Sequence, residues 1–226
     1  IINWNVDPNI FQVGFITIRW YGLLFASSFI FSTIIGTWIF KRENKSIEQL
    51  DKLVLYLAIG TIVGARLGHV LFYDPAFYFS NPLEILKIWR GGLASHGAGI
   101  GLLLATWIYS QKTAGMSFFW VFDRATIVIA LSGSLIRIGN LFNSEIIGKP
   151  TDSNWGVVFS KIDLIPRHPT QLYESLAYFL IFIPLLILYL KIGKKSFPGL
   201  LTGVAFITVF GARIGIELFK ENQSGF

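Results

Sequence analysis

Arginine and asparagine recur at helical spacing, with a second asparagine and a glutamate adjacent, in one short stretch of an otherwise apolar segment. The residues are Arg137, Asn140, Asn143 and Glu145, closed by Gly148. Arg137, Asn140 and Ser144 stand three and four positions apart, which puts them on one face of a helix. Two other apolar stretches carry charge in the same manner. Arg66 and His69 are three apart; Arg213 and Glu217 are four apart, with Lys220 and Glu221 following. His96 opens a further apolar stretch. A guanidinium offers two parallel hydrogen bonds to a phosphate, so several at one depth make an anion site. At lipid headgroup depth the fitting anion is the phosphate of an anionic phospholipid. Each group also has a plainer reading. An arginine can snorkel or pair with a nearby acid, and Arg213 with Glu217 has the spacing of an intrahelical ion pair. The three histidines, His69, His96 and His168, have no metal-ligand spacing, and there is no cysteine. No metal, cofactor, disulfide or cysteine nucleophile is therefore expected in the chain.

What positions these residues is a set of long apolar runs. Of the 226 residues, 53% are hydrophobic and only 14% charged, where soluble domains have about a quarter charged. Six spans are expected: Leu23 to Phe40, Leu53 to Tyr73, Leu93 to Ser110, Ala125 to Asn143, Ser175 to Leu190 with Pro184 inside, and Ser196 to Phe219. The fold class that follows is all-α, a polytopic integral membrane helical bundle in one domain, residues 1–226. The net charge of +6 then reads as a positive-inside bias rather than a nucleic-acid surface. Lys41, Arg42, Lys45 and Lys52, then Lys112, then Lys191, Lys194 and Lys195 fill alternate short loops, which are expected to be cytoplasmic. The N-terminus and two longer connections then face the periplasm. One, 74–92, carries Phe77, Phe79, Pro82 and Trp89 and reads as an interfacial arm; the other, 144–170, reads as a periplasmic head segment. By this topology Arg66, His69, His96, Asn140 and Glu217 lie toward one outward-opening, cationic pocket. The chain opens on Ile1 and ends in a polar run, Glu221 to Phe226, and no cleavable signal peptide is visible.

The run Arg137-Ile-Gly-Asn-Leu-Phe-Asn-Ser-Glu-Ile-Ile-Gly148 closely resembles the signature of prolipoprotein diacylglyceryl transferases. It departs from the pattern at Ile136, where glycine is common, and Leu141, where phenylalanine is common; neither change removes a polar group. Four other segments resemble the family in order: Ile18 to Gly22, Gly64 to Gly68, Gly91 to Gly97, and Arg167 to Glu174. Arg213 to Glu217 matches its late Arg-x-x-x-Glu. The resemblance implies a bacterial inner-membrane enzyme, with a seventh helix beyond this chain. Its members transfer the diacylglyceryl group of phosphatidylglycerol to the lipobox cysteine of a preprolipoprotein signal peptide, both substrates arriving through the membrane lipids. A thioether and glycerol phosphate are the products.

On that resemblance Arg137 and Arg213 clamp the phosphate and stabilise the leaving group. His96 is the candidate base for the thiol, or else a satisfied interhelical histidine. Asn140 and Glu145 orient the headgroup or the arginines. Tyr21, beside Arg19 and Trp20, lines the pocket or belongs to an interfacial aromatic belt. Arg66, Asn143 and Glu217 contact substrate, and Gly148 fixes a turn. A lipid or anion transporter is the rival reading, and predicts polar residues through the inner halves of the spans; the uncharged stretch Leu102 to Trp107 opposes it. A non-enzymatic lipid-binding scaffold is a third, opposed by the intact Arg137, Asn140, Asn143, Glu145 and Gly148.

Overall fold

Backbone amides have no water to bond in hydrocarbon, so apolar runs of this length close into helices. The computed structural model describes residues 1–14, 16–88, 91–193 and 197–221. Trp89 of the expected arm, Lys194, Lys195 and Ser196, and residues 222–226 of the polar end lie outside them. The helices are α1 (Trp20–Arg42), α2 (Ile47–Phe72), α3 (Pro75–Ser80), α4 (Ser95–Lys112), α5 (Phe118–Phe142), α6 (Thr170–Ile192) and α7 (Leu200–Glu217). Among the described residues five, α1, α2, α5, α6 and α7, are long and apolar enough to cross a membrane. The sixth expected span is present as α4. Its 18 residues include Gly97, Gly99, Gly101, His96, Gln111 and Lys112, which keep it below the same apolarity.

The chain divides into two compact units, Ile1–Gly36 with Asp123–Phe226, and Thr37–Phe122. In the second unit, α2 starts on a capping box in which Ser46 and Gln49 satisfy each other's backbone amides. Glycines four apart, Gly60 and Gly64 on α2 and Gly97 and Gly101 on α4, then let the two helices touch backbone to backbone. A Cβ on Gly101 would stand 2.0 Å from the Gly60 oxygen, and one on Gly64 2.4 Å from the Gly97 oxygen. In lipid, where apolar faces gain little from leaving solvent, such close approach is what holds helix pairs.

In the first unit, opposite ends of the helices are locked by different devices. At one end Asp123, fully buried, accepts from Gly199 N and Thr202 N (2.9 Å each) and from Thr202 Oγ1 (2.7 Å). It thereby satisfies orphan amides at the start of α7. Beside it Arg124 donates to Gly193 O at the end of α6 (3.0 Å). At the other end a small sheet forms that the apolar periodicity does not foretell. Strand β1 (Ile2–Trp4) pairs in parallel with β4 (Val157–Phe159), which pairs antiparallel with β5 (Pro166–Arg167). A hairpin of β2 (Asn9–Val13) and β3 (Ile16–Arg19) precedes α1. Leu141, Val157 and Phe159 form the buried core here, with Trp4 and Ile147 against it, and Trp20 stacks on Phe142 at 4.9 Å. The N-terminal strand, the end of α5, the start of α6 and the residues after α7 therefore meet at one end.

Candidate functional site

The polar residues at this end come together from four chain segments. α5 runs to Phe142 and carries Arg137 and Asn140 on one face. The chain then turns sharply: Ser144 and Ile146 both have left-handed backbone (φ 55° and 60°). For a β-branched residue such as Ile146 this conformation is strained and persists only when neighbours enforce it. The first turn of α6 enforces it. Thr170 Oγ1 donates to Ile146 O (2.8 Å) and Gln171 Nε2 to Glu145 O (2.7 Å), both side chains fully buried.

The turn aims the Glu145 carboxylate back at α5. Its Oε1 accepts from Asn140 Nδ2 (2.7 Å) and Asn143 Nδ2 (3.2 Å). Asn140 Oδ1 in turn accepts from Arg137 Nη1 (3.2 Å). On its other side Arg137 Nε lies 2.7 Å from Glu174 Oε2, a carboxylate only 1% exposed. That oxygen completes no hydrogen bond, so the contact is an ion pair off the N–H axis. Lys220, 11% exposed, stands 3.6 Å from Glu174 Oε1 and 3.7 Å from Glu217. Tyr21 packs over Gly139, where a Cβ would lie 2.8 Å from its ring, and its phenol is within electrostatic reach of Glu145 and Arg137.

Gly148 joins this cluster to the end of α7. Its amide donates to His168 O (3.0 Å), and the next amide, of Lys149, donates to Phe219 O (2.8 Å), pairing Gly148 with Lys220. His168 itself is hydrogen-bonded through Nδ1 to Tyr173 (3.1 Å) and lies against Phe219. Arg213, half-buried on α7, makes no hydrogen bond or ion pair among the described residues; Glu217 faces Lys220, not Arg213. The intrahelical Arg213–Glu217 pair open to the sequence is thus not formed.

Arg66 and His96 belong to the second unit. Arg66, 5% exposed, donates from Nε to Ile85 O, from Nη2 to Glu84 O, and from Nη1 to Gly91 O and Gly92 O, at 2.6–3.0 Å. Four of its five N–H donors are thereby committed to one loop. Its guanidinium also lies over the Tyr78 ring. The loop needs Gly92 twice over, for its left-handed φ of 72° and because a Cβ would lie 2.7 Å from Arg66. His96 is exposed, makes no hydrogen bond among the described residues, and contacts the rings of Phe72 and Tyr73.

Glu174, Gln171 and Lys220 were not among the expected site residues. The signal for Glu174 was present: an acid inside an apolar helix is rarely idle. It was hidden because the fifth span was expected to start at Ser175, whereas α6 starts at Thr170.

In the head, Arg167 grips Asp163 through Nε (3.0 Å) and Nη2 (2.6 Å) and also reaches Glu221. The Arg167 hydrogen bond holds the Asp163 carboxyl below its ordinary value, against the opposing effect of burial. The folded state therefore favours the carboxylate. Its stabilisation is complete above the unfolded carboxyl value of about 3.9 and is lost as pH falls through the lower folded value. In thermal melts across acid pH, Asp163→Asn is expected to flatten the decline below about pH 4. A decline identical to that of the unsubstituted chain would contradict this role.

Long apolar helices, with a part-buried cluster of arginine, lysine, amides and carboxylates at one end, define a multi-pass α-helical membrane protein. Comparison with known proteins makes this specific. The family model for prolipoprotein diacylglyceryl transferase matches residues 8–226. A protein of Tolumonas auensis, named phosphatidylglycerol–prolipoprotein diacylglyceryl transferase, is 50% identical over 99% of this chain and 86% of its own length. Proteins of the same name from Chloroherpeton thalassium and Porphyromonas gingivalis are 48% and 43% identical, covering 84% and 82% of their own lengths. The chain belongs to the prolipoprotein diacylglyceryl transferase family.

Proposed function

We propose that this chain transfers the diacylglyceryl group of phosphatidylglycerol to the lipobox cysteine thiol of a preprolipoprotein, the first step of bacterial lipoprotein maturation. The observation that carries the reading is the state of Arg137. Two neighbours, Glu174 and Asn140, hold it, yet only one of its N–H donors makes a hydrogen bond among the described residues. Arg66, by contrast, has four of its five donors taken by carbonyls. A held guanidinium with open donors suits a phosphate; a saturated one suits a scaffold.

The reaction forms a C–S bond to the lipid glycerol carbon and breaks that carbon's bond to the phosphate oxygen. The thiol proton leaves, and a phosphodiester with one negative charge becomes a monoester with a second. Charge thus develops on the phosphate, where fixed cations lower the barrier most. Arg137 meets it, with Arg213 as the second guanidinium whose donors stay open. Glu145, Asn140 and Asn143 form the hydrogen-bonded wall that orients Arg137 and the glycerol headgroup, and Tyr21 closes the α1 side. Glu217, exposed beside Lys220, serves substrate binding. Gly148 holds the residues after α7 against the site. His96 takes the thiol proton. Arg66 acts on substrate through the loop it fixes.

The enzyme sits in the bacterial inner membrane with its N-terminus in the periplasm. Support comes from the basic residues in alternate loops, and from β1 pairing with β4, which sets the N-terminus and the 144–170 head on one side. The 74–92 arm lies at the interface, in keeping with the exposed side chains of Phe77, Phe79, Leu83 and Leu86. Both substrates enter laterally from the membrane lipids. In liposomes containing phosphatidylglycerol, a lipobox peptide is expected to gain the mass of one diacylglyceryl group. A peptide with serine at the cysteine position should gain nothing. No gain from the folded protein would refute the reading.

A further inference from the structure

We infer that Glu174 is a positioning residue, holding Arg137 and Lys220 as a pair of cations whose donors are kept open for one phosphate. The inference rests on the reading under Proposed function and deepens it by adding Lys220 as a phosphate ligand. Glu174 sits on α6, Arg137 on α5, and Lys220 beyond α7, so one carboxylate ties together three parts of the unit. A buried carboxylate is costly unless its charge is met. Here it is met in charge but not in hydrogen bonds. Oε2 completes none, and Lys220 Nζ stops at 3.6 Å, beyond hydrogen-bond reach. The Lys220 ammonium donates no hydrogen bond among the described residues, although it has three donors and its side chain is only 11% exposed.

A purely structural clamp in the same unit looks different. Arg167 closes on Asp163 with hydrogen bonds of 2.6 and 3.0 Å. The looser Glu174 cluster holds two cations near each other without saturating either. Arg137 and Lys220 set two positive charges against the one buried carboxylate, Glu174; the Glu217 carboxylate, 3.7 Å from Lys220, is 60% exposed, so solvent screens it. As the leaving group gains its second charge, both cations strengthen their hold, which is the differential binding that speeds the step. The position of Lys220 is secured by backbone, through the pairing of Gly148 with Lys220.

The test separates binding from turnover. Phosphatidylglycerol binding is titrated by native mass spectrometry, and steady-state transfer is measured for Glu174→Gln, Glu174→Asp, Lys220→Met and the Glu174→Gln/Lys220→Met double variant. Misplacing a reacting or binding group by an ångström can cost about a hundredfold. Glu174→Gln and Lys220→Met are each expected to lower kcat/KM for phosphatidylglycerol by about tenfold to a hundredfold and to weaken its binding, with KM for the peptide unchanged. The double variant should lose no more than the worse single, because both act through one cluster. Glu174→Asp should recover part of the loss. Losses that multiply, or variants that melt differently yet bind and transfer phosphatidylglycerol normally, would overturn the proposal. Should Glu174→Gln fail to fold, Lys220→Met decides: normal phosphatidylglycerol binding overturns the proposal and weakened binding sustains it. A chain that binds phosphatidylglycerol through these residues but never transfers sustains the site and refutes the function.

Discussion

Replacing Arg137 with lysine is expected to lower diacylglyceryl transfer by about a hundredfold or more while the protein still folds, the cost typical of losing one donor to developing charge. Lysine keeps a positive charge opposite Glu174, which is 1% exposed and would otherwise be left to Lys220 alone, at 3.6 Å. Breaking a buried pair outright costs about 3–5 kcal/mol, so Arg137→Ala should also lower the melting temperature. What lysine lacks is the fork. One ammonium cannot face Glu174, reach Asn140 and present two parallel donors to a phosphate at once. Rates with phosphatidylglycerol and peptide varied separately, beside thermal melts, check this. The loss should fall on the phosphatidylglycerol parameters. Near-normal transfer by Arg137→Lys would move the phosphate elsewhere.

Gly148→Ala should be as damaging by a different route. The added carbon would stand 2.4 Å from the His168 oxygen, 2.7 Å from His168 Cβ and 2.8 Å from the Phe219 oxygen. Neither oxygen is free to yield, since each accepts a hydrogen bond from the 148–149 backbone itself. The methyl must push the two segments apart, at about 1–3 kcal/mol of stability. Because Lys220 is paired to Gly148, its ammonium moves away from Glu174, and transfer is expected to fall by about a hundredfold. Gly211→Ala is the control: a Cβ there meets nothing within 4 Å. It should melt within about 0.5 kcal/mol of the parent and transfer normally. Equal behaviour of the two variants would remove Gly148 from the account.

The contrast between Arg66 and Arg137 marks the limit of what the sequence could carry. Both are arginines in apolar runs, three residues from a polar neighbour, and on spacing alone they are equivalent. They differ in partners. Those of Arg66 are backbone carbonyls at 84, 85, 91 and 92, which every residue type possesses and no motif announces. The Arg137–Asn140 contact was legible because helical spacing sets it; Glu145 reaches Asn140 only through the left-handed turn at Ser144 and Ile146. Glu174 was obscured by the placement of a helix start. The pairing of Ile2–Trp4 with Val157–Phe159 was illegible, because strand partners so distant in the chain are chosen by tertiary packing. The helices themselves were readable for the opposite reason: the bilayer leaves long apolar runs no other backbone solution. Only α4, diluted by the glycines that bring it against α2, fell short of its expected apolarity.

The most direct test of the account places the purified chain in liposomes of phosphatidylglycerol with a lipobox peptide and counts both products together. One glycerol phosphate is expected for each peptide converted to the diacylglyceryl thioether, with both signals falling together in Arg137→Lys. Glycerol phosphate without lipidated peptide, or lipidated peptide formed equally well by a folded Arg137→Lys protein, would contradict it.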